Sequence, residues 1–184
     1  MSDWHIQQAR MLLNAGGVIA YPTEGVWGLG CDPDNAQALQ ALLAIKQRDA
    51  KKGFILVASH IGQLDFLLAD LPADKQAVLD QHWPGPFTFL VPHRDLFLPA
   101  VVGQFSTIAV RVSDHPVVKQ LCDAFGGPLI STSANLSGHA AARSAVQVRR
   151  QLGHKFDYLV PGELGGAKKP SRIIDLMSGR IIRP

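Results

Sequence analysis

Short apolar runs with strand-like spacing alternate along most of the chain with stretches in which apolar residues recur every three or four positions. This alternation predicts helices layered on a sheet, in an α/β or α+β architecture, because each element must bury its apolar face against another element. The predicted helices lie at about residues 6–16, 35–46, 59–68, 72–82, 114–126 and 144–153.

The predicted strands lie at residues 18–21, 53–58, 87–91, 107–112, 129–131 and 156–160, and a closing hairpin joins 173–176 to 181–182. Asp34 and Ser59 are the expected caps of two helices, because short oxygen-bearing side chains accept bonds from the first free backbone N–H groups. Between the strands 87–91 and 107–112 we expect a loop, because Pro99 and Gly103 should prevent a regular element from running across them.

The composition is that of a globular chain. Of 184 residues, 47% are hydrophobic and 18% charged, and no repeat or long linker divides them, so residues 1–184 are expected to form one domain. Cys31 and Cys122 form no C-x-x-C pair, which favours a reducing compartment. With neither a signal-like amino terminus nor an apolar run near the roughly 20 residues of a membrane helix, we expect a cytoplasmic protein.

The positive charge is concentrated in two segments, although the net charge of the chain is only +3. Residues 46–52 hold four cations against one carboxylate, and residues 143–183 hold nine cations against three carboxylates. Such segregation favours a face or cleft that binds anions, either the phosphates of a small molecule or those of a nucleic acid. The alternative, which we favour for Arg149, Arg150 and Lys155, is that these cations lie on solvated surfaces.

Several familiar catalytic motifs are missing. No two of the seven histidines have the spacing of a zinc site, and no G-x-S-x-G turn offers a hydrolase nucleophile. The glycines of residues 25–30 are in the wrong order for a dinucleotide-binding loop. Residues 162–169 lack the second glycine and the hydroxyl residue of a P-loop.

Two polar segments lie at element ends, where open α/β sheets place their ligands. Residues 21–25 form a loop in which Thr23 and backbone N–H groups can approach a substrate, or simply a tight turn. Lys46 and Arg48 are two positions apart, which places them on nearly opposite faces of a helix but on one side of an extended segment. They can therefore act together only if the helix has already ended at Lys46. They would then suit a polyphosphate; the alternative is that they complement the carboxyl end of the helix.

The most informative segment is residues 131–135, Ser-Thr-Ser-Ala-Asn, directly after an apolar strand. Four of these five side chains carry a hydroxyl or amide group, which suits phosphate oxygens, whereas a capping turn would need only one. Arg111 interrupts another apolar strand, and a half-buried Arg normally has an anionic partner. That partner is either a ligand or an Asp or Glu of the protein, and the sequence leaves both open.

Six motifs resemble those of the YrdC family in sequence and in order, and together they span nearly the whole chain. Each is weak alone, whereas the six together are specific, and the resemblance is greatest to the short bacterial members of the family. The motifs are Tyr21-Pro22-Thr23-Glu24, Lys46-Gln47-Arg48, residues 83–88 (Trp-Pro-Gly-Pro-Phe-Thr), 109–112 (Ala-Val-Arg-Val), 131–138 (Ser-Thr-Ser-Ala-Asn-Leu-Ser-Gly) and 171–175 (Ser-Arg-Ile-Ile-Asp).

The resemblance implies an enzyme that converts L-threonine, bicarbonate and ATP into threonylcarbamoyl-adenylate and pyrophosphate, which supplies the t6A modification at adenosine 37 of tRNA. It also implies a twisted mixed sheet with flanking helices around a basic concave cavity. By the same resemblance, Mg²⁺ is carried by the ATP phosphates rather than by a metal site of the protein, and the enzyme cooperates with the TsaB, TsaD and TsaE proteins.

The resemblance further implies roles for ten residues. ATP would be bound by Lys46, Arg48, Thr107, Ser133, Asn135 and Arg183, of which Lys46 and Arg48 are the catalytic candidates. Threonine would be bound by Thr23, Arg111, Thr132 and Ser171, with Arg111 on its carboxylate.

Such a reaction needs no protein nucleophile, because a carbamate oxygen attacks the α-phosphorus and pyrophosphate leaves. The missing catalytic motifs are therefore compatible with an enzyme. The alternative function is a module that binds double-stranded RNA or tRNA without turnover, since nucleic-acid phosphates would use the same basic segments. Only 7% of the residues are aromatic, which disfavours a stacking platform for single strands.

Overall fold

The computed structural model describes residues 3–167 and 171–184, in which helices and strands alternate through most of the chain. The α-helices are α1 (Asp3–Asn14), α2 (Ala36–Lys46), α3 (Asp65–Leu68), α4 (Ala73–His82), α5 (Pro99–Val102), α6 (Pro116–Phe125) and α7 (Ala145–Leu152). Two short 3₁₀ helices lie at Ala50–Lys52 and Ile61–Leu64. Within the described residues, no helix has the length and apolar character needed to cross a membrane.

The described strands all belong to one mixed sheet, in the order β7-β1-β2-β6-β3-β5-β4-β8-β9. Three neighbouring pairs are parallel (β7 with β1, β3 with β5, β4 with β8) and the others are antiparallel. The expected mixed sheet with flanking helices is thus confirmed, and one sheet is compatible with the single domain that the sequence predicts. The strands are β1 (Ile19–Pro22), β2 (Trp27–Gly30), β3 (Ile55–Ala58), β4 (Phe87–Pro92), β5 (Thr107–Val112), β6 (Leu129–Ser133), β7 (Tyr158–Leu159), β8 (Arg172–Asp175) and β9 (Ile181–Arg183).

Strand β6 serves both halves of this sheet. Ser131 pairs with Ile55 of β3, whereas Ser133, two residues later, pairs with Gly28 of β2. Residues 131–133 all line one cavity, although consecutive residues of a flat strand point to opposite faces. The end of β6 is therefore a polar segment that borders the cavity between the two halves of the sheet.

The two faces of the sheet are covered unequally. Helices α2, α3, α4, α5 and α7 cover one face, where alternate strand residues such as Leu56 and Val110 are buried. On the other face, α1 and α6 bury a smaller cluster that includes Val57 and Leu129. The register places Arg111 beside Val57, so alternate residues of β5 lie on this second face. These residues, Thr107, Ala109 and Arg111, are only half-buried and line the cavity.

Strand β2 is absent from the sequence prediction, because its glycines resemble a turn. In the structure Tyr21 pairs with Gly28, and the buried Tyr21 ring lies against Gly28 and Gly30. A Cβ atom on Gly30 would lie only 2.8 Å from that ring. The glycines thus make room for an aromatic ring of the neighbouring strand, a requirement that no local pattern reveals.

The predictions that Asp34 and Ser59 cap two helices are wrong. Asn35, not Asp34, caps α2, and its side-chain oxygen accepts two backbone N–H groups of the first turn, both at 3.0 Å. The backbone of Asp34 is held in the preceding turn by a bond to the Asp32 carboxylate. After β3, the 3₁₀ helix begins beyond His60 rather than at Ser59, and no side chain caps it.

The connection between β4 and β5 is predicted to be a loop, whereas the structure has one helical turn in it, between Pro99 and Gly103. Pro99 begins the single helical turn α5, where its fixed φ suits the first position. Gly103 ends the turn at φ +67° and donates its N–H to the Pro99 carbonyl at 2.8 Å. The two residues thus bound a helix rather than exclude one.

Candidate active site

A cavity of about 680 Å³ opens on the uncovered part of the sheet, beside the end of β6, which lies between β2 and β3. Along β5, Thr107 and Arg111 are four residues apart on one face, which corresponds to about 13 Å. The cavity therefore has two ends. We define the Arg111 end by Thr23, Glu24, Arg111, Ser171 and Arg183, and the Arg48 end by Arg48, Lys52, Phe54, Thr107 and Ser133.

Arg111 has an anionic partner within the protein, one of the two alternatives that the sequence leaves open. Its Nη2 forms an ion pair with Oε1 of Glu24, and its Nε donates to the Gly85 carbonyl at 3.2 Å. The Ser113 hydroxyl donates to the same Glu24 oxygen at 2.7 Å. The Arg111 side chain is 12% exposed and still lines the cavity, so its guanidinium is held in place beside open space.

The carboxylate of Glu24 stays ionised at neutral pH. Burial raises its pKa, but the Arg111 guanidinium and the Ser113 hydroxyl together lower it by more, so the pKa lies below its ordinary value. The Glu24 carboxylate therefore carries its negative charge beside Arg111 at neutral pH.

The hydroxyl residues of the Arg111 end come from separate segments. Thr23 closes a tight turn by donating its hydroxyl to the Val26 carbonyl at 2.8 Å, so both interpretations of this loop hold: it is a turn, and it lines the cavity. The Ser171 hydroxyl lies 2.8 Å from that of Thr88, a buried neighbour in β4. Thr132 lines the cavity from β6.

Arg183 lies at the Arg111 end, beside Ser171. Its Nε and Nη2 donate to the Ser171 carbonyl at 3.0 and 2.7 Å. Burial lowers the pKa of Arg183, and the charge of Arg111 lowers it further, so the two guanidinium groups act on each other electrostatically. The described charged groups at this end are therefore two cations and one carboxylate.

Arg48 is brought into the cavity by the end of α2. The helix ends at Lys46, as the joint action of Lys46 and Arg48 requires, and Gln47 takes the left-handed conformation at φ 49°. Arg48 then donates its Nη2 to the Gly53 carbonyl at 2.8 Å, and its guanidinium lies 5.5 Å from the centre of the Phe54 ring. Its Nε is buried without a hydrogen-bond partner, so one donor of this cation is unused.

Lys46 lies behind the cavity wall and is 2% exposed. Its ammonium donates to the Ser133 carbonyl, to the Asn135 carbonyl at 3.0 Å and to the Asn135 side-chain oxygen at 3.3 Å. Burial, and then the charge of Arg48, lower its pKa to about 8. The ammonium thus fixes the chain that follows β6 and is only weakly basic for a lysine.

Asn135 is held from both sides of its amide. Its oxygen accepts the Ser133 hydroxyl and the Lys46 ammonium, and its nitrogen donates to the Leu136 and His139 carbonyls at 3.0 and 2.6 Å. Asn135 and Lys46 therefore form a buried polar cluster directly behind Ser133. Neither side chain lines the cavity.

The structure brings eight of the ten predicted site residues to one cavity, and places the other two, Lys46 and Asn135, behind its wall. The eight are Thr23, Arg48, Thr107, Arg111, Thr132, Ser133, Ser171 and Arg183. What each of them binds stays a prediction. Lys168 and Lys169 of the second basic segment lie outside the described residues.

Three charged residues of the cavity have no predicted role in the sequence analysis. Glu24 belongs to a family motif but was given no function, and Lys52 and Arg143 belong to the basic segments. The concentration of positive charge in two segments was the sequence feature that could have indicated Lys52 and Arg143 as cavity residues. Nothing local could assign Glu24 to Arg111, because 86 residues separate them in the chain.

The donor set of the cavity offers little to a protein-bound metal ion. In residues 3–167 and 171–184, no group of three or more His, Cys, Asp and Glu side chains is placed to hold one. Of the described residues that line the cavity, Glu24 alone carries a carboxylate, and Arg111 and Ser113 already bind it. An ion here would need oxygen ligands from a substrate.

Known proteins resemble the chain over its full length. The Sua5/YciO/YrdC family model, described as "Telomere recombination", matches residues 11–184. The threonylcarbamoyl-AMP synthase of Pseudomonas entomophila (strain L48) is 52% identical over 184 residues, which are 100% of this chain and 99% of the relative. The protein of the same name from Marinobacter nauticus (strain ATCC 700491 / DSM 11845 / VT8) is 54% identical over 176 residues, 95% of this chain and 93% of the relative.

Solved structures share the fold. P. abyssi Sua5 complexed with L-threonine is 27% identical with a TM-score of 0.92, and the match covers 100% of this chain and 55% of that one. E. coli YciO is 25% identical with a TM-score of 0.86, covering 99% of this chain and 89% of that one. The chain thus spans about half the length of the Sua5 structure.

Proposed function

The chain belongs to the Sua5/YciO/YrdC family, and we propose that its cavity is the active site of a threonylcarbamoyl-AMP synthase. In this reaction the amine of L-threonine and bicarbonate form a carbamate and release water. A carbamate oxygen then attacks the α-phosphorus of ATP. The new O–P bond forms as the bond to pyrophosphate breaks, which gives threonylcarbamoyl-AMP and pyrophosphate.

Threonine is proposed to bind at the Arg111 end. Arg111 is held rigidly by Glu24 and Gly85, and a planar guanidinium of fixed orientation suits a carboxylate. Thr23, Thr132 and Ser171 provide hydroxyl and backbone groups for the rest of the amino acid. The solved structure of P. abyssi Sua5 with L-threonine supports a threonine site in this fold.

ATP is proposed to bind with its phosphates towards the Arg48 end. Arg48 has an unused Nε donor, and Ser133 lies beside the end of α2, where its carbonyl accepts the Lys46 ammonium. Thr107 of the Arg48 end and Arg183 of the Arg111 end complete the nucleotide site. Arg183 is proposed to contact the α-phosphate, because that phosphate reacts with the threonine carbamate and so lies nearest to the Arg111 end. We expect Lys46 to reach a phosphate oxygen by exchanging one of its acceptors, and Asn135 to move with it.

Catalysis is proposed to rest on positioning and electrostatics. The cavity holds five cationic side chains and one carboxylate among the described residues, so negative charge that builds on phosphate oxygens is stabilised. Mg²⁺, carried by the ATP phosphates, would neutralise part of that charge when bound. The work of the protein is to hold the carbamate oxygen in line with the α-phosphorus and to exclude water.

The observation that carries the proposal is that a fixed Arg111 and the cations Arg48 and Lys52 line one cavity, whose β5 wall extends about 13 Å from Arg111 to Thr107. An amino acid and a triphosphate then lie side by side.

The test is pyrophosphate release from protein, ATP, L-threonine and bicarbonate, with each component omitted in turn. Release that requires all of them supports the synthase. Turnover without threonine contradicts it, and salt-sensitive RNA binding without any turnover would instead support the RNA-binding module.

The product is a mixed anhydride that water destroys, so it must be consumed soon after it forms. We propose that TsaB, TsaD and TsaE, in the cytoplasm, receive it for the t6A modification of tRNA, as the family resemblance implies. Addition of those proteins and tRNA should convert threonylcarbamoyl-AMP into modified tRNA, measured by nucleoside mass spectrometry; unmodified tRNA would contradict this step.

A further inference from the structure

The single carboxylate of the cavity is placed at one end of it. Among the described residues that line the cavity, the cations are Arg48, Lys52, Arg111, Arg143 and Arg183, and only Arg111 forms an ion pair with a carboxylate. Counted over the described residues, Glu24 thus reduces the charge of the Arg111 end to that of one cation. No carboxylate of a described residue compensates the cations of the Arg48 end in this way.

The position of Glu24 is fixed by contacts on several sides. Its carboxylate binds Arg111 and Ser113, and its backbone carbonyl accepts the N–H of Ala167 at 2.7 Å. Gly165 lies so close that a Cβ atom there would be 3.1 Å from Cα of Glu24. A side chain held this firmly can set both the orientation and the effective charge of Arg111.

The charge matters because both substrates are anions at the points where arginines bind them. L-threonine presents one carboxylate, whereas ATP and pyrophosphate present several charged oxygens. Without Glu24, two interacting guanidinium groups, those of Arg111 and Arg183, would lie uncompensated beside the hydroxyl of Ser171. Two cations with a hydroxyl donor suit a phosphate group.

We infer that Glu24 is a positioning and specificity-determining residue that orients Arg111 for the threonine carboxylate and keeps polyphosphates out of the threonine site. This inference rests on the proposed function. It predicts that each end selects its substrate by charge as well as by shape. This selectivity should be lost when the carboxylate of Glu24 is neutralised.

The direct test is Glu24→Gln, which keeps the size of the side chain and removes its charge. We expect the KM for L-threonine to rise about 10-fold, and inorganic pyrophosphate to become a competitive inhibitor against threonine, with an inhibition constant lowered about 10-fold. The KM for ATP should change little. Calorimetric titration with pyrophosphate should find a second binding site per chain in the variant.

Two further variants separate charge from structure. Ser113→Ala removes a hydrogen bond to the carboxylate but keeps its charge, and it should not create the second pyrophosphate site. Glu24→Asp keeps the charge at shorter reach, and it should exclude pyrophosphate while raising the KM for threonine. A merely structural role for Glu24 would make all three variants lose activity together, without the change in inhibition pattern.

The wild-type protein also tests the inference, whether or not Glu24→Gln folds. Pyrophosphate should inhibit it in competition with ATP and not with threonine; competition with threonine overturns the inference, as does a Glu24→Gln protein with unchanged constants. A failure of the proposed function would be recognised by a different result: the wild-type protein would release no pyrophosphate. In that case the calorimetric comparison still decides whether Glu24 excludes a polyphosphate.

Discussion

The two ends of the cavity present cations in different ways. At the Arg111 end, the guanidinium of a strand residue is paired with Glu24 and bonded to Gly85. At the Arg48 end, the cations follow a helix end, and Arg48 leaves its buried Nε without a partner. A compensated, rigid cation suits a small ligand recognised by shape, whereas uncompensated cations suit a highly charged one. With this contrast, one cavity can bind an amino acid at the Arg111 end and a triphosphate at the Arg48 end.

The largest expected effect is that of Lys46→Met, which removes the ammonium behind the Arg48 end. Adenylate formation should fall at least about 100-fold, because the proposed phosphate contact is lost and three oxygen acceptors on Ser133 and Asn135 lose the bond from the Lys46 ammonium. The protein should remain folded, with its free energy of unfolding lowered by about 1–3 kcal/mol. Threonine-dependent pyrophosphate release and denaturant unfolding measure the two effects.

Lys51→Met is the matched control for Lys46→Met. Lys51 is exposed, lies five residues further along and does not line the cavity. Its substitution should leave both measurements unchanged, and a Lys46→Met protein with wild-type pyrophosphate release would contradict the role of Lys46.

Arg111→Gln should affect threonine far more than ATP. Loss of charge-assisted hydrogen bonds worth about 1.5–3 kcal/mol each should raise the KM for threonine about 10- to 100-fold. The KM for ATP should stay within about 3-fold, as steady-state kinetics with each substrate varied will measure. Because Arg111→Gln leaves Glu24 without its partner, the double variant with Glu24→Gln should recover stability but not threonine binding. Equal losses for both substrates would mean that the two ends are not separate.

Arg48→Gln should show the opposite pattern with a smaller effect. The KM for ATP should rise about 10-fold, since one charged contact is lost, while the KM for threonine changes little. Arg149→Gln, on the exposed surface of α7, is the control and should leave both constants unchanged. A larger effect on threonine than on ATP would reverse the assignment of the ends.

The smallest effect concerns pH. The pKa of Lys46 is lowered to about 8, so its ammonium loses its proton as the pH rises through that value, and the KM for ATP should increase there. The pKa of Glu24 is lowered, so the ion pair with Arg111 keeps its charge across the same range and the KM for threonine should not change. Kinetics between pH 7 and pH 9 measure both constants, and a parallel rise would contradict the assignment of the pH effect to Lys46.

The sequence predicts most of the fold, because the elements that bury one face carry a regular apolar pattern. Strand β5 is predicted at its observed bounds, 107–112, and its burial alternates as a strand with one covered face should. β2 is not predicted, since the need for Gly30 arises from the Tyr21 ring in the neighbouring strand. α5 is not predicted either, because Pro99 and Gly103 mark the ends of a helical turn as well as loops.

For the site, the residues at element ends were predictable, whereas their partners were not. Arg48 and Ser133 carry the right chemistry in their own segments. The ion pair of Arg111 with Glu24 depends on how the loop after β1 meets β5, and the burial of Lys46 depends on carbonyl groups 87 and 89 residues away. Contacts of this kind are set by tertiary packing, which leaves no local pattern.

Strand β6, shared by both halves of the sheet, restricts how the binding surface can change. Deleting or inserting one residue ahead of Ser131 would turn every following side chain to the opposite face and break the pairing with both β3 and β2 at once. New ligand preferences in this scaffold must therefore come from substitutions within a strand of constant length, or from the loops around it.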